Sequence, residues 1–383
     1  MRRSVVRRVA AAMAAVALMP AAAACERPPA STPIAVSAPA VRIGVLGGLA
    51  GDNAGLTVPI KNGAELAVAE YNASHPDAPV ELAKFDTEGL AERTGPIAAA
   101  AAADATVVAM IGPAFPVEAE VASPIFEEAG LPAITASATY SQLSENSWAT
   151  FHRGVADDSA QAVATIRYLR DVVRPRRLFL VHDQSPDGAA LADAVRTELA
   201  ARHVGEETVS APQTNFDTLV AAVTAARPDT LVYAGYSAEA GLLLRQLRAA
   251  GWAGAFVGGG AIYDPNLLSV AGAGTGNTTA ISACPPPSAA FAADYRAAYG
   301  IDPVGCAAVA YDLARVILAG IAAGHSTRAD LLAYLRDYSG RGRATSVTYA
   351  WTPEGELSDR PTAAWVYRAQ RQGWTFDRRI PTS

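Results

Sequence analysis

Residues 134–144 read ITASATYSQLS, a short apolar β-type start followed by hydroxyl after hydroxyl with only small or amide residues between them. Hydroxyls at a strand end offer donors to an anionic or polar oxygen without a fixed positive charge; the same groups can instead satisfy backbone atoms of a turn. Other loops of similar character are GLAGDNAGL, IGPAFPVE, HDQSPDG, AGYSAEA and GGGAIYDP, rich in glycine, hydroxyls and aromatic rings and free of lysine and arginine. Neither G-x-G-x-x-G nor G-x-x-x-x-G-K-[ST] occurs in them, so no nucleotide or other cofactor is expected, and a small neutral or zwitterionic molecule fits better than a phosphate. Gly235-Tyr236-Ser237-Ala238-Glu239 has the strand-to-helix setting of a nucleophile elbow but ends in Glu where Gly is required. The only histidine after residue 203 is His325, at a helix end, so a hydrolase triad finds no base and the chain is not expected to be an enzyme. Five scattered histidines without HExxH or paired CxxC give no metal site.

The elements that must position these loops begin after a leader. MRRSVVRR, the apolar VAAAMAAVALMPAAAA and Cys25 have the layout of a secretory signal over residues 1–24. Cys25 after Ala22-Ala23-Ala24 is similar to a bacterial lipobox, with Ala22 where Leu is usual; plain cleavage with an incidental cysteine, or a twin-arginine signal through Arg7-Arg8, are the alternatives. Residues 26–40, ERPPASTPIAVSAPA, read as a Pro/Ala/Ser tether. The 31 basic and 37 acidic side chains give a net charge of −6, and loss of Arg2, Arg3, Arg7 and Arg8 with the leader makes it −10. That charge argues against nucleic acid or anionic lipid as partners. After the leader no stretch approaches the roughly 18 to 20 uncharged apolar residues of a membrane span, since even VAYDLARVILAGIAAG carries Asp312 and Arg315.

From Val41 onward, short continuous apolar runs alternate with helix-spaced segments. VRIGVLGG, APVELAKFDT, TVVAMIGP and LPAITAS read as strands separated by helices, and RRLFLVHD, GEETVSA, DTLVYAGY and GAFVGGG repeat the pattern. This predicts α/β architecture: two doubly wound parallel-sheet lobes in tandem, too long together for one comfortable core. NTTAISA is then followed by three helices and two late strands around SVTYAW and AAWVYRA, which suggests that the chain recrosses between lobes.

The run IGPAFPVEAEVASPIFEEAGLPAITASATYSQLS resembles a segment of the type I periplasmic solute-binding proteins, specifically the branched-chain amino acid receptors of ABC transporters. NGAELAVAEYNA, LVHDQSPDGAALADA, YAGYSAEAGLLLRQLRAAG and AAVAYDLARVILAGI are similar to further segments of that family, in order over residues 41–375. The resemblance implies lobe one at 41–152 plus 285–340, lobe two at 153–284 plus 341–378, crossover hinge strands and a ligand cleft between the lobes. It implies a monomer that captures a small amino-acid-like or carboxylate-bearing ligand for an ABC permease, outside the cytoplasmic membrane and anchored there by lipid on Cys25, or free in the periplasm or medium. A sensor that passes occupancy to a membrane partner is the alternative output.

Carried over by position, the resemblance places Ser137 and Thr139 on the ligand's carboxylate and Tyr236 against its body. Elsewhere the chain departs from the family. Leu56 stands where an aromatic ring is expected, Phe115 and Glu118 fall in a loop expected to be hydroxyl-rich, Asp187 replaces a tyrosine, and Gly260 replaces the acid that pairs the ligand's ammonium group. Asp187 or Glu118 could supply that charge from another side, or both could be solvated loop acids. Cys284 and Cys306 lie near a crossover in an oxidising compartment, so they are either a disulfide or two buried thiols.

Overall fold

The computed structural model of the protein describes residues 41–359, 363–371 and 373–381; Cys25 and the 26–40 tether lie outside them. The first lobe alternates β1 (Arg42–Gly47), α1 (Ala54–Ser74), β2 (Glu81–Asp86), α2 (Ala91–Ala103), β3 (Val107–Ile111), α3 (Pro116–Glu128), β4 (Ala133–Thr135) and β5 (Phe151–Arg153). Its sheet runs β2-β1-β3-β4-β5, parallel throughout. β1 and β3 read as unbroken apolar runs because helices cover both faces: after Arg42 every residue of β1 is buried, and so is all of β3.

The second lobe begins with α4 (Asp158–Tyr168), continued by one π-turn at Leu169–Val173. It goes on through β6 (Leu178–His182), α5 (Pro186–Glu198), β7 (His203–Thr208), α6 (Asp217–Ala226), β8 (Thr230–Ala234), α7 (Ser237–Ala249), β9 (Ala255–Gly258), α8 (Pro265–Ala271) and β10 (Thr278–Ser282). Helix starts are set by short polar caps followed by proline at the first helical position: Ser185 Oγ accepts from Gly188 N at 3.1 Å and Asp264 Oδ1 from Asn266 N at 2.8 Å. The parallel part of the sheet, β7-β6-β8-β9-β10, repeats the strand order of the first lobe, each sheet reversing its winding beside its first strand. Ligand crevices of doubly wound sheets form at such reversals, beyond the strand C-termini.

The chain then returns to the first lobe as α9 (Ala289–Tyr299), α10 (Ala307–Ala322) and α11 (Arg328–Asp337). α10 lies against α1 at close range because position 63 is glycine, where a Cβ would stand 2.1 Å from the Ala307 carbonyl oxygen. Leu313, Ile317 and Leu318 of α10 share one core with Ile43, Val45 and Ile60, and full burial of such a side chain contributes about 1.5–3 kcal/mol. A two-residue ladder, β11 (Gly340–Arg341) with β12 (Thr348–Tyr349), follows, then β13 (Ala363–Gln370) and β14 (Gly373–Pro381), which extend the second sheet antiparallel beside β10.

The return crossing comes later than expected. The resemblance puts residues 341–359 in the second lobe, whereas Ala344, Tyr349, Trp351 and Leu357 pack in the core of the first. Asp312 fixes them there by accepting from Ala344 N and Thr345 N, both at 2.9 Å, and Trp351 Nε1 donates to Arg153 O at 2.8 Å. SVTYAW reads as a strand but forms only the two-residue ladder with β11 and a single bridge from Trp351 to Leu357, and the sequence pattern gives no sign of the terminal strand β14. None of the described helices is long and apolar enough to cross a membrane.

Candidate functional site

A cleft of about 750 Å³ lies between the two sheets, lined by the loops that leave β1, β3, β4 and β5 on one side and β6, β8, β9 and β10 on the other. The lobes touch across it. Phe115 and Tyr236 meet edge to face with ring centroids 5.8 Å apart, and Asn266 Nδ2 donates to Asp52 O at 3.4 Å.

The loop after β4 is built by its own hydroxyls. Thr135 Oγ1 donates to Pro113 O at 2.7 Å and accepts from Ala138 N at 2.9 Å. Ser137 Oγ donates to Ala114 O at 2.6 Å, so it presents lone pairs to the cleft while its proton is used within the protein. Thr139 also lines the cleft. Thr57, in the first turn of α1, is another wall residue: it is wholly buried and its hydroxyl has no partner among the described residues. Sequence reasoning missed Thr57 because nothing local separates it from an ordinary helical threonine.

Behind the loop stands Arg153, the last residue of β5, whose side chain is 0% exposed. Its Nη1 donates to Ala138 O at 3.1 Å and Tyr140 O at 2.9 Å, straddling Thr139. Its Nε and Nη2 reach Glu356 Oε1 at 3.0 and 2.7 Å. A charged pair from the two ends of the first lobe therefore sets the backbone that carries Thr139.

Of the residues singled out from sequence, Leu56, Phe115, Ser137, Thr139, Tyr236 and Gly260 all line the cleft. Glu118 does not. It is fully buried in α3, accepts from Ala114 N at 3.1 Å, Phe115 N at 3.0 Å and Thr87 Oγ1, and caps its own helix. Burial raises its pKa, and these three hydrogen bonds pull the other way. Asp187 sits in the first turn of α5, and its side chain lies outside the described residues. Asp158, Gln161, Asp183 and Ser282 also line the cleft and were not anticipated. They belong to a helix face and to strand ends whose sequence gives no motif.

Cys284 and Cys306 form a disulfide with Cα atoms 5.2 Å apart, tying the end of β10 to the start of α10 at the cleft wall. Ser237, the serine of the elbow-like segment, is wholly buried, and its hydroxyl donates to Asp264 Oδ2 at 2.6 Å, not to an imidazole. Among the described residues no group of three His, Cys, Asp or Glu side chains is placed to hold a metal ion.

The family model of the periplasmic binding proteins matches residues 40–366. The chain belongs to that family. The Leu/Ile/Val-binding protein of Escherichia coli (strain K12) is 31% identical over 241 residues, 61% of this chain and 64% of the relative, so the match spans less than two thirds of the relative's length. The branched-chain amino acid transporter substrate binding protein LivJ of Streptococcus pneumoniae, solved with isoleucine, superposes with a TM-score of 0.81 at 23% identity, covering 89% of this chain and 99% of that one. The leucine binding protein LivK of Thermotoga maritima gives 0.78 at 21% identity with the same coverage. At these identities the superpositions speak for the fold: this periplasmic binding protein has the two-lobe architecture expected of it.

Proposed function

We propose that this periplasmic binding protein captures a small amino-acid-type ligand in the cleft between its lobes and delivers it to an ABC permease. It would act outside the cytoplasmic membrane, held there by lipid on Cys25, and without catalysis. The observation that carries this reading is a ligand-sized cleft at the strand C-termini of two sheets of the same winding, with Thr139 and the unpartnered hydroxyl of Thr57 on its wall. The names of the relatives support the ligand class, and the cleft loops support a ligand with a carboxylate, held by donors and without a cation. Thr139 is the donor of this pair, since Ser137 gives its proton to Ala114. The crossings between lobes supply the hinge on which the cleft would close.

The test is native mass spectrometry of protein purified without denaturation, followed by calorimetry against amino acids, amides and small carboxylic acids. Thr139→Ala should weaken binding about ten- to more than a hundredfold, the cost of a hydrogen bond to a charged group, with unfolding unchanged. Absence of any co-purified or titratable small molecule would reject the reading, as would a Thr139→Ala protein that binds as tightly as the wild type.

A further inference from the structure

The second sheet carries another cavity, at the end opposite the cleft. It has a volume of about 370 Å³ and lies where β8, β9 and β10 begin, between the π-turn that continues α4, the segment Arg174-Pro175-Arg176 and β13. Its polar wall is made by Tyr168, Arg174, Arg176, Asn277, Thr279 and Arg368.

The donors of this wall are largely unspent. Among the described residues the guanidinium of Arg176 makes no hydrogen bond or ion pair, and the Asn277 amide is also unengaged. Arg174 gives only its Nε, to Asp171 O at 3.0 Å, and Arg368 only its Nε, to Asp377 Oδ2 at 3.1 Å. Deeper in, Tyr168 and Thr279 are 2% and 7% exposed, and their hydroxyls hydrogen-bond only to each other, at 3.5 Å, the outer limit of such a bond. Buried hydroxyls ordinarily find better partners than that. One carboxylate lines the cavity, Asp229, and it is engaged with its own neighbours: it accepts from Arg176 N at 2.9 Å, Arg177 N at 3.4 Å and Thr230 Oγ1 at 3.1 Å, which fastens the arginine segment to the start of β8.

We propose that this cavity is a phosphate-binding site, in which Arg174, Arg176 and Arg368 hold a phosphate group through their Nη atoms while Tyr168, Thr279 and Asn277 donate to its remaining oxygens. Guanidinium forks and hydroxyls that converge from three elements suit an acceptor with oxygens in several directions, which a tetrahedral phosphate offers and a planar carboxylate does not. The chain's net charge of −6 does not oppose this, because at physiological ionic strength an anion at the wall feels mainly the charges within about 8 Å. Inorganic phosphate, a phosphomonoester and the headgroup of an anionic phospholipid share this chemistry. The site goes beyond the ligand cleft and does not depend on what fills it.

The test is calorimetry with inorganic phosphate at an ionic strength held constant with sodium chloride, together with cosedimentation on vesicles of phosphatidylglycerol or of phosphatidylcholine. Protein carrying Cys25→Ser is used, so that no attached lipid takes part. Arg176→Ala/Arg368→Ala and Tyr168→Phe should each weaken binding about tenfold or more, the cost of a hydrogen bond to a charged group. Both arginines are exposed and Tyr168→Phe keeps its ring, so the variants should unfold at the same urea concentration as the parent. Saturable phosphate binding that depends on these residues, without vesicle binding, identifies a free phosphate or phosphomonoester. Binding to phosphatidylglycerol vesicles that depends on them identifies a headgroup. Vesicle binding lost with the arginines but indifferent to Tyr168→Phe is attraction to a charged surface and overturns the site, as does the failure of both phosphate and vesicles to bind or binding that survives all the substitutions.

Discussion

Removal of the Arg153 guanidinium tests how the ligand loop is held. In Arg153→Met the carbonyl oxygens of Ala138 and Tyr140 lose a donor, and Glu356, side chain 12% exposed, is left without its 2.7 Å partner in a nearly dry place. Breaking a buried pair from one side costs about 3–5 kcal/mol, and the partial exposure of Glu356 places the expected loss near the lower end, about 3 kcal/mol. The double variant Arg153→Met/Glu356→Leu no longer buries a lone carboxylate and should recover part of that loss, giving a coupling energy of about 1–2 kcal/mol. Urea denaturation of the four proteins measures the cycle, with m-values checked for constancy. Because the same guanidinium spans Thr139, ligand affinity should fall in both Arg153 variants even where stability has recovered. Strict additivity of the two substitutions, or undiminished affinity in a folded Arg153→Met protein, would refute the clamp.

The Cys284–Cys306 bridge closes a 22-residue separation and should stabilise by about 3 kcal/mol in the chain-entropy model; Cys284→Ala measured by urea denaturation tests that, and two titratable thiols from this pair in the unreduced, unfolded protein would contradict the bridge. His152 is 5% exposed, and burial lowers its pKa from 6.5 to about 4, with the Thr150 carbonyl at 3.2 Å opposing the fall only in part and Arg336 adding to it. An imidazole with a depressed folded-state pKa protonates first in the unfolded chain. Stability is therefore whole above pH 6.5 and declines toward pH 4, by about 3 kcal/mol in all. Glu118, Asp264 and Asp312, whose pKa values burial raises, contribute with the opposite sign, so the slope is read as the difference between wild type and His152→Gln across that window. Parallel pH profiles for the two proteins would refute it.

Much of the architecture is written locally. Apolar runs such as RIGVLG and VVAMI can be satisfied only between two helical layers, and Ser-Pro and Asp-Pro starts define helix ends by hydrogen bonds within three residues. Alternation of such elements suffices for two wound lobes, and sheets of that kind bind at their strand ends; Ser137, Thr139 and Tyr236 were singled out only by the resemblance, and the fold brings all three to the cleft wall. Glu118 could not be judged in the same way: an acid two residues after the Pro of a loop reads alike whether it caps its helix or faces a ligand, and only the positions of Ala114 N, Phe115 N and Thr87 decide. The late return crossing was equally hidden, because Tyr349 and Trp351 have a core for either lobe until Asp312 and Arg153 bind their segment to the first. Gly260 marks the sharpest division. The sequence shows only a glycine there, whereas the oxygens that a side chain would meet come from residues 99 positions earlier and 22 positions later, brought together by packing that no local pattern encodes.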